Sequence, residues 1–497
     1  MNSELKDVTN NSEKGGNMNP TQVIVADLDG TVTLTDTLHE SVLALVRNKP
    51  LFSFLLPFWL VKGIAFLKLK VAENCKLDVT TLPYNLSLID WLKEEKASGR
   101  KIVLCTAANK RVALAVSEHF KIFDDVIASN ETINVRGTNK RILLDKKFGK
   151  RGYDYAGNSG VDLKVWAGAR KAIVVNASRN VYLKAKKTAT VSKTFSPQDI
   201  TISSWFKMLR VHHWLKNMLL FVPLLTAHQF NNIQHLSTLT LSFISFSLCA
   251  SSVYIINDLL DLESDRRHTQ KRNRPFASGK IPIKIGLILF PQLVFISLIL
   301  AWTIGLVFFV LLILYIFLSI IYSFLIKKII ILDCLALAIL FTLRIFAGAS
   351  VVSIKISFWL FIFSVFIFLS LAFVKRYVEI HNQKKHSKIF LHGRGYLATD
   401  APLIQTLGIA SGYSGMVVFA LYLSSEKVIT LYSQPELLWF ALLLLIFWIN
   451  WIWIKAHRGE VHDDPIMFAI QDKISLLVIS LIFIVFTMAG GYFYIQN

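Results

Sequence analysis

The sequence is poor in cysteine and in charged residues. Its four cysteines, Cys75, Cys105, Cys249 and Cys334, form no CxxC pair, which excludes a disulfide scaffold and a cysteine-type zinc site. Charged residues make up 18% of the 497 residues and hydrophobic residues 54%. This balance excludes a disordered chain and argues against an entirely soluble one. The length predicts at least two domains.

The first twenty residues also lack an apolar run, so they do not resemble a signal peptide. They are polar and rich in Gly and Asn, and we predict a disordered tail over 1–20. From 21 to 178, short apolar runs alternate with helical stretches, which predicts an α/β domain with a doubly wound parallel sheet. Residues 179–203 are polar and rich in Lys, and we predict a linker there.

Long apolar windows recur from residue 204 to the end of the chain. Most approach the ~20 residues that cross ~30 Å of hydrocarbon. We therefore predict an all-α polytopic membrane domain over 204–497. Its nine predicted transmembrane helices lie near 214–230, 237–257, 285–305, 306–326, 330–352, 357–375, 407–424, 437–455 and 475–494.

The charges in the connections predict the orientation. If 1–203 is cytoplasmic, the connections on that side carry eighteen Lys and Arg, and the opposite connections carry only Lys355 and Lys427. This asymmetry predicts an integral protein of the inner (cytoplasmic) membrane with its N-terminal domain in the cytoplasm. Membrane topology does not account for the whole net charge of +21. We attribute the remaining positive charge to phosphorylated or lipid partners and predict no binding of nucleic acid.

Two carboxylates two residues apart follow the first apolar strand, in Asp27-Leu28-Asp29-Gly30-Thr31. One can attack phosphorus while the other exchanges a proton with the leaving oxygen. Gly30 permits a turn whose backbone N–H groups can hold phosphate oxygens. Four more polar residues follow in order along the domain, and together these motifs resemble the haloacid dehalogenase (HAD) phosphatase superfamily over 21–178: Thr106, Lys140, Asn158 and Asp162.

The resemblance implies that Asp27 forms an aspartyl-phosphate and that Asp29 is the acid/base. Thr106 and Lys140 would then hold phosphoryl oxygens. The implied Mg²⁺ site comprises Asp27, Asp29, Asn158 and Asp162.

One residue departs from the HAD pattern, because Asn158 stands where the family usually has Asp. A neutral amide is a weaker ligand for Mg²⁺, so weaker metal binding, or a regulatory role for the domain, stays open. The resemblance makes residues 32–100 a helical cap. Its apolar stretch 51–70 is the core of a helical insertion, an amphipathic segment on the bilayer or a further span.

A second acidic motif follows the second predicted span. Asp258, Asp261 and Asp265 are spaced by three and four residues, which predicts one shared helix face. Placing carboxylates at the end of a transmembrane span costs free energy, so their presence there indicates a function. Carboxylate oxygens are hard ligands, which suit Mg²⁺ bound to a diphosphate. The basic loop that follows can hold phosphate oxygens, through Arg266, Arg267, Lys271, Arg272 and Arg274.

The motif NDxxDxxxD, followed by RPxxSG, resembles the UbiA superfamily of intramembrane prenyltransferases over 204–497. Stretches such as RVHHWLKNMLLFVPLL (210–225) and DDPIMFAIQDK (463–473) resemble its decaprenyl-phosphate phosphoribosyltransferase branch. That branch transfers phosphoribose from phosphoribosyl diphosphate to a polyprenyl phosphate. We expect further substrate contacts from Lys216, Asn257, Tyr322, Lys327, Asp333, Arg344, Lys375 and Arg376.

These resemblances leave three hypotheses open. The first is a bifunctional, Mg²⁺-dependent enzyme that makes polyprenyl-phosphoryl-5-phosphoribose and then removes its 5-phosphate, for the cell envelope. The second is an aromatic prenyltransferase with a prenyl diphosphate donor and an unrelated HAD domain. The third keeps the HAD domain as a regulatory module. The sugar donor is favoured because a second acidic cluster, usual for prenyl donors, is reduced here to Asp333.

Overall fold

The computed structural model describes residues 23–129, 134–227, 232–384, 395–426, 428, 432–461 and 464–490. The predicted tail 1–20 lies outside this range. The chain divides into two compact units. The N-terminal unit comprises residues up to 208 together with 258–286, and the membrane unit comprises 209–257 and 287 onward. The predicted boundary near 203 is therefore close, but the N-terminal unit also takes the segment that carries the second acidic motif.

The N-terminal unit is built on a six-stranded parallel sheet with strand order β3-β2-β1-β4-β5-β6. The central strands are buried on both faces, as their apolar runs predict. This confirms the predicted doubly wound fold. The strands are β1 (Val23–Ala26), β2 (Lys101–Asn109), β3 (Asp125–Ser129), β4 (Asp154–Gly157), β5 (Lys171–Val175) and β6 (Val191–Phe195).

Helices connect these strands and flank the sheet. They are α1 (Thr37–Asn48), α2 (Leu56–Val61), α3 (Ile64–Asn74), α4 (Leu86–Ala97), α5 (Lys110–Phe120), α6 (Thr138–Phe148), α7 (Leu163–Trp166), α8 (Arg179–Thr188) and α9 (Ile202–Leu209).

Two sequence predictions need correction in this unit. The predicted linker 179–203 contains α8 and the edge strand β6. The predicted cap 32–100 is helical, but its last helix, α4, places Leu88 and Leu92 in the apolar cluster on the sheet. The insertion that stands apart from the sheet therefore ends before α4.

Residues 258–286 complete the N-terminal unit. They hold the end of α11 (Ile233–Leu260), the short helix α12 (Leu262–Arg267) and the first turn of α13 (Ile283–Ile304). At Gly279, where φ is +74°, a Cβ atom would lie 2.8 Å from Leu34 Cβ. This segment thus packs closely on the residues that follow the first acidic motif.

The membrane unit is helical. Besides most of α11 and α13, it holds α10 (Val222–Thr226), α14 (Leu306–Phe324), α15 (Leu332–Val351), α16 (Phe358–Lys384), α17 (Ala401–Leu423), α18 (Leu438–His457), α19 (Pro465–Gln471) and α20 (Lys473–Ala489).

Seven helices in the described residues are long and apolar enough to cross a membrane, or eight if α19 and α20, bent by 82°, form one span. The prediction of nine long helices is therefore slightly too high. The difference lies at 214–230, where a 3₁₀ helix (Val211–Phe221) and α10 replace one long helix.

Candidate active sites

The first acidic motif forms a tight turn at the carboxyl end of β1. The Asp27 N–H donates to the Ala156 carbonyl on the neighbouring strand at 3.0 Å. Gly30 has a φ of +75°, and a Cβ atom there would lie 2.0 Å from the Asn158 amide nitrogen. Only glycine meets both conditions, so the turn brings the Asn158 side chain directly against the motif.

A buried chain of polar groups connects Asp27 to Asp162. Lys140 Nζ lies 2.9 Å from Asp27 Oδ1 and donates to the Tyr155 hydroxyl at 2.9 Å. Tyr155 in turn donates to Asp162 Oδ1 at 3.0 Å. Burial alone would lower the pKa of Lys140, but Asp27 outweighs it and raises that pKa. Lys140 is therefore a fixed positive charge beside the predicted nucleophile, and Tyr155 is a residue that the sequence analysis missed.

The predicted Mg²⁺ ligands are not equivalent. Asp162 Oδ2 accepts from the Asn158 N–H at 3.1 Å and from the Ser159 N–H and hydroxyl at 2.9 and 2.8 Å. With Oδ1 bound by Tyr155, Asp162 is committed to holding the 158–159 turn. Among the described residues, no three acidic, His or Cys side chains are arranged to hold a metal. The donor chemistry of Asp27 and Asn158 suits Mg²⁺. Asp29 would suit it only when ionised, and Asp162 fits as a support for Asn158.

Asp29 lies at the start of the insertion. Its Oδ1 accepts the Thr37 N–H at 2.8 Å, at the first residue of α1. Burial, followed by the charge of Asp36, raises the pKa of Asp29 to about 7, a value suited to exchanging a proton at neutral pH. Thr106 is fully buried, and its hydroxyl accepts the Ala108 N–H at 3.0 Å.

The second acidic motif does not lie on one helix face, because α11 ends at Leu260 and Asp261 precedes α12. Two of its three carboxylates nevertheless converge: Arg274 Nη1 lies 3.1 Å from Asp258 Oδ1 and 2.7 Å from Asp265 Oδ2. Both carboxylates are buried. Burial, together with Asp258 and against Arg274, raises the pKa of Asp265 to about 6.

The guanidinium of Arg274 thus occupies a position between two hard oxygen donors where a cation is stabilised. Asp258 and Asp265 fit a divalent cation by this chemistry. Asp261 is half-buried at the break between the two helices.

The basic loop divides into two groups. Arg266 and Arg267, predicted to bind phosphate, pair instead with carboxylates of the insertion. Arg266 contacts Glu40 at 2.6 Å, and Arg267 contacts Asp78 at 2.5 Å. Lys271 is half-buried and Arg272 is exposed. Neither Glu40 nor Asp78 could be identified from the sequence, because each lies more than 180 residues from its partner.

In the membrane unit, Lys216 is buried and forms an ion pair with Asp464. Asp464 also caps α19 by accepting the Ile466 N–H at 3.1 Å. Burial would raise the pKa of Asp464, but Lys216 and Lys375 lower it below its usual value. Asp464 lies in the stretch DDPIMFAIQDK, which resembles the phosphoribosyltransferase branch, but no site role was predicted for this residue from the sequence.

Two of the predicted substrate-binding arginines are buried in the membrane unit. Arg344 donates to the Asn217 side chain at 3.0 Å and to the Tyr315 hydroxyl at 3.1 Å. Arg376 and Asp333 are both fully buried and lie 2.6 Å apart. Asp333 also accepts the Tyr396 hydroxyl at 2.6 Å. Asn257, Tyr322, Lys327 and Lys375 are half-buried.

Comparison with known proteins identifies the family to which the part of the chain with the second acidic motif is similar. Residues 218–477 match the UbiA prenyltransferase family. The chain belongs to the UbiA prenyltransferase family. The match starts within the predicted membrane domain and contains the whole second acidic motif.

Three relatives show which members of the family this chain is similar to. It is 35% identical to the uncharacterized protein y4nM of Sinorhizobium fredii over 94% of this chain and 90% of that one. It is 33% identical to the nodulation protein NoeC of Azorhizobium caulinodans over 56% of this chain and 91% of that one. It is 27% identical to decaprenyl-phosphate phosphoribosyltransferase of Mycolicibacterium smegmatis over 56% and 90%, respectively. The y4nM similarity spans most of both units.

Proposed function

We propose that this UbiA-family enzyme transfers 5-phosphoribose from phosphoribosyl diphosphate to a polyprenyl phosphate, and that its N-terminal unit then removes the 5-phosphate. The first step is supported by family membership and by similarity to decaprenyl-phosphate phosphoribosyltransferase. The second is supported by the buried Asp27–Lys140 pair in a sheet with the predicted topology.

In the transfer step, an oxygen of the lipid phosphate bonds to the anomeric carbon of the donor, and the bond from that carbon to the diphosphate breaks. Asp258, Asp261 and Asp265 would hold the Mg²⁺ ion, which would supply positive charge to the departing diphosphate. Arg274, which lies between two of these carboxylates, is placed to bind phosphate oxygens.

The state of Asp333 favours a sugar donor over a prenyl donor. It is the remaining acidic residue at the position of the second cluster, and it is fully buried against Arg376 and Tyr396. Arg376 is fully buried, so a metal–diphosphate bound by Asp333 would leave the charge of Arg376 buried and unpaired, which is costly. Arg274, which pairs with Asp258 and Asp265, has a side chain that is 28% exposed and can turn to a phosphate oxygen instead. This single observation carries the choice between the two donors.

In the phosphatase step, the Asp27 carboxylate attacks the phosphorus of the 5-phosphate, and the bond from phosphorus to the ribose O5 breaks. Asp29 gives its proton to O5, as its pKa of about 7 allows at neutral pH. Water then hydrolyses the aspartyl-phosphate and returns a proton to Asp29. Lys140 stabilises negative charge on the phosphoryl oxygens throughout.

The test uses phosphoribosyl diphosphate carrying ¹⁴C in its ribose and ³²P at its 5-phosphate. Membranes containing the enzyme are incubated with this donor, Mg²⁺ and decaprenyl phosphate. The proposal expects a lipid product that retains ¹⁴C and has lost ³²P. Retention of both labels would remove the phosphatase step, and the absence of any labelled lipid would remove the transfer step.

A parallel incubation separates the alternative. Geranyl diphosphate and 4-hydroxybenzoate replace the two substrates, under the same conditions. The proposal expects no prenylated aromatic product, because the second acidic cluster is not available. Formation of that product would favour the aromatic prenyltransferase.

A further inference from the structure

Seven large apolar side chains of the insertion in the N-terminal unit face solvent. Leu51 is 78% exposed, Phe54 73%, Phe58 69% and Val61 88%. The remaining three are Leu55, Leu60 and Ile64. A contiguous exposed apolar patch of this kind marks a surface that contacts a partner or a membrane. We call these seven residues the insertion face.

The insertion face belongs to a folded element. On the opposite side of the same segment, Phe52, Leu56 and Trp59 pack against a small core that includes Leu45 and Leu67. The 3₁₀ helix (Pro50–Leu55) and α2 therefore have one side buried inside the unit and one side turned outward. The outward side has no partner among the described residues of the N-terminal unit.

The charged residues within the segment of the insertion face are all basic, although Arg47 and Lys70 pair with carboxylates at its border, Glu263 at 4.0 Å and Glu73 at 2.8 Å. Residues 41–72 contain no Asp or Glu, and they contain Arg47, Lys49, Lys62, Lys68 and Lys70. Lys49 Nζ lies 5.2 Å from the Phe52 ring centre, and Lys62 Nζ lies 5.2 Å from that of Phe66. Apolar side chains bordered by lysines are the composition of a segment that lies in the interface of an anionic bilayer.

The N-terminal unit is also held at a membrane by the chain itself. Its residues 258–286 connect α11 to α13, and both helices are long and apolar enough to cross. This unit therefore cannot diffuse away from the bilayer surface, and docking of an exposed face on that surface needs no encounter in solution.

We propose that the insertion face docks on the anionic surface of the bilayer that the chain itself crosses. A second copy of the chain is a poorer occupant, because an isologous contact would bring Lys49 and Lys62 of both copies together with no carboxylate in this segment to pair with them. Anionic lipid headgroups supply the missing negative charge, and the acyl region accepts Phe54, Phe58 and Val61.

Docking would bring a cavity beside the proposed phosphatase site to the lipid surface. Helix α3 starts at Ile64 of the insertion face, and its Ala65, Lys68 and Leu69 line a cavity of about 260 Å³ together with α5. Lys68 Nζ donates to the Ala107 carbonyl at 2.6 Å, directly after Thr106. The docking itself is independent of the proposed function, but the consequence that lipid-linked phosphates enter this cavity rests on it.

The test places the full chain in nanodiscs that contain phosphatidylglycerol. A spin label is attached at Phe58→Cys in a Cys75→Ser background, and a matched control label at Leu183→Cys, which is 48% exposed on α8, outside the insertion. We expect the label at 58 to collide preferentially with oxygen and the label at 183 with a water-soluble nickel chelate. Equal preference for the nickel chelate at both sites would overturn the proposal. Spin–spin broadening at 58 that disappears on dilution with unlabelled chain would assign the face to a second copy instead.

A second variant tests the consequence. Phe54→Ser/Phe58→Ser/Val61→Ser removes exposed side chains and should leave the fold intact. We expect its KM for the 5-phosphorylated lipid to rise about tenfold or more, with kcat unchanged and with unchanged hydrolysis of ribose 5-phosphate. An unchanged KM for the lipid would overturn the link to the cavity. If neither ester is hydrolysed by the unmodified chain, the phosphatase proposal fails while the spin-label result still decides the docking.

Discussion

The ion pair between Glu40 and Arg266 offers a sharp test of how the N-terminal unit is held together. Arg266 Nη2 and Nη1 donate to the two Glu40 carboxylate oxygens at 2.6 and 3.1 Å, and the side chains are 4% and 7% exposed. Removing one partner of such a pair costs ~3–5 kcal/mol, because the other charge is left buried. Arg266 Nε keeps its bond to the Ala277 carbonyl at 2.9 Å, so we expect Glu40→Ala to destabilise the unit by ~3 kcal/mol.

A matched control lies in the same unit. Lys93 and Asp90 are 3.1 Å apart on α4, with side chains 53% and 67% exposed. An exposed pair of this kind contributes ~0.2–0.5 kcal/mol. Asp90→Ala removes the same type of contact without leaving a buried charge, so its effect should be small.

The assay is hydrogen exchange of the full chain in nanodiscs, followed by mass spectrometry of peptides from α1 and from 258–286. In Glu40→Ala, the free energy of opening should fall in both peptides, because the pair joins them. In Asp90→Ala, neither should change. If Glu40→Ala changes the opening free energy by less than ~0.5 kcal/mol, as expected for an exposed pair, the reasoning is refuted. Measuring Arg266→Leu and the double variant would then show whether the pair is coupled at all.

Further outcomes are expected for the two sites and for the membrane topology. Asp27→Asn should block dephosphorylation and let the 5-phosphorylated lipid accumulate, as measured by retained ³²P, whereas Asp29→Asn should slow it by ~10²–10⁴-fold. Asp258→Ala should abolish transfer while hydrolysis of ribose 5-phosphate continues, since Asp27 and Asp258 serve separate sites; loss of both activities in folded protein would contradict this. Asn158→Asp should lower the Mg²⁺ concentration for half-maximal phosphatase activity, and an unchanged value would exclude Asn158 as a ligand. A reporter fused after Asn497 should be located outside the cytoplasm, because we predict nine crossings between it and the N-terminal unit.

The sheet could be predicted because its central strands are buried on both faces and therefore appear as apolar runs. The strand β6 could not, since its middle residues Ser192, Lys193 and Thr194 are exposed and look like a linker. A different ambiguity left the role of the insertion face undecided in the sequence. An apolar stretch looks alike whether it is buried in a core or exposed to a bilayer, and only the packing of Trp59 inward and Phe58 outward separates the two.

The candidate sites were predictable where the chemistry is local. Asp27, Asp29 and the second acidic motif follow apolar segments at fixed spacings, and such spacings are visible in a sequence. The contacts that decide availability are not local. Asp333 is held by Arg376 and Tyr396, and Arg266 by Glu40. In a sequence, a lysine or arginine at the end of a span therefore looks equally suited to phosphate binding whether or not it forms an ion pair with a distant carboxylate.

The number of membrane crossings depends on which segments of the chain belong to the N-terminal unit, and not on helix length alone. Residues 23–208 and 258–286 form one compact unit, so both lie on the same side of the membrane. Since α11 can cross once, we expect one more crossing before Ile233. The stretch Val211–Thr226 has eleven 3₁₀ residues followed by five α-helical ones. At ~2.0 and ~1.5 Å per residue it reaches ~30 Å, the thickness of the hydrocarbon core. We therefore expect this 3₁₀ segment to cross with fewer residues than a hydropathy window for α-helices requires. If this stretch crosses and the bent pair of α19 and α20 is one span, the crossings number nine, and we expect the C-terminus on the side of the membrane opposite the N-terminal unit.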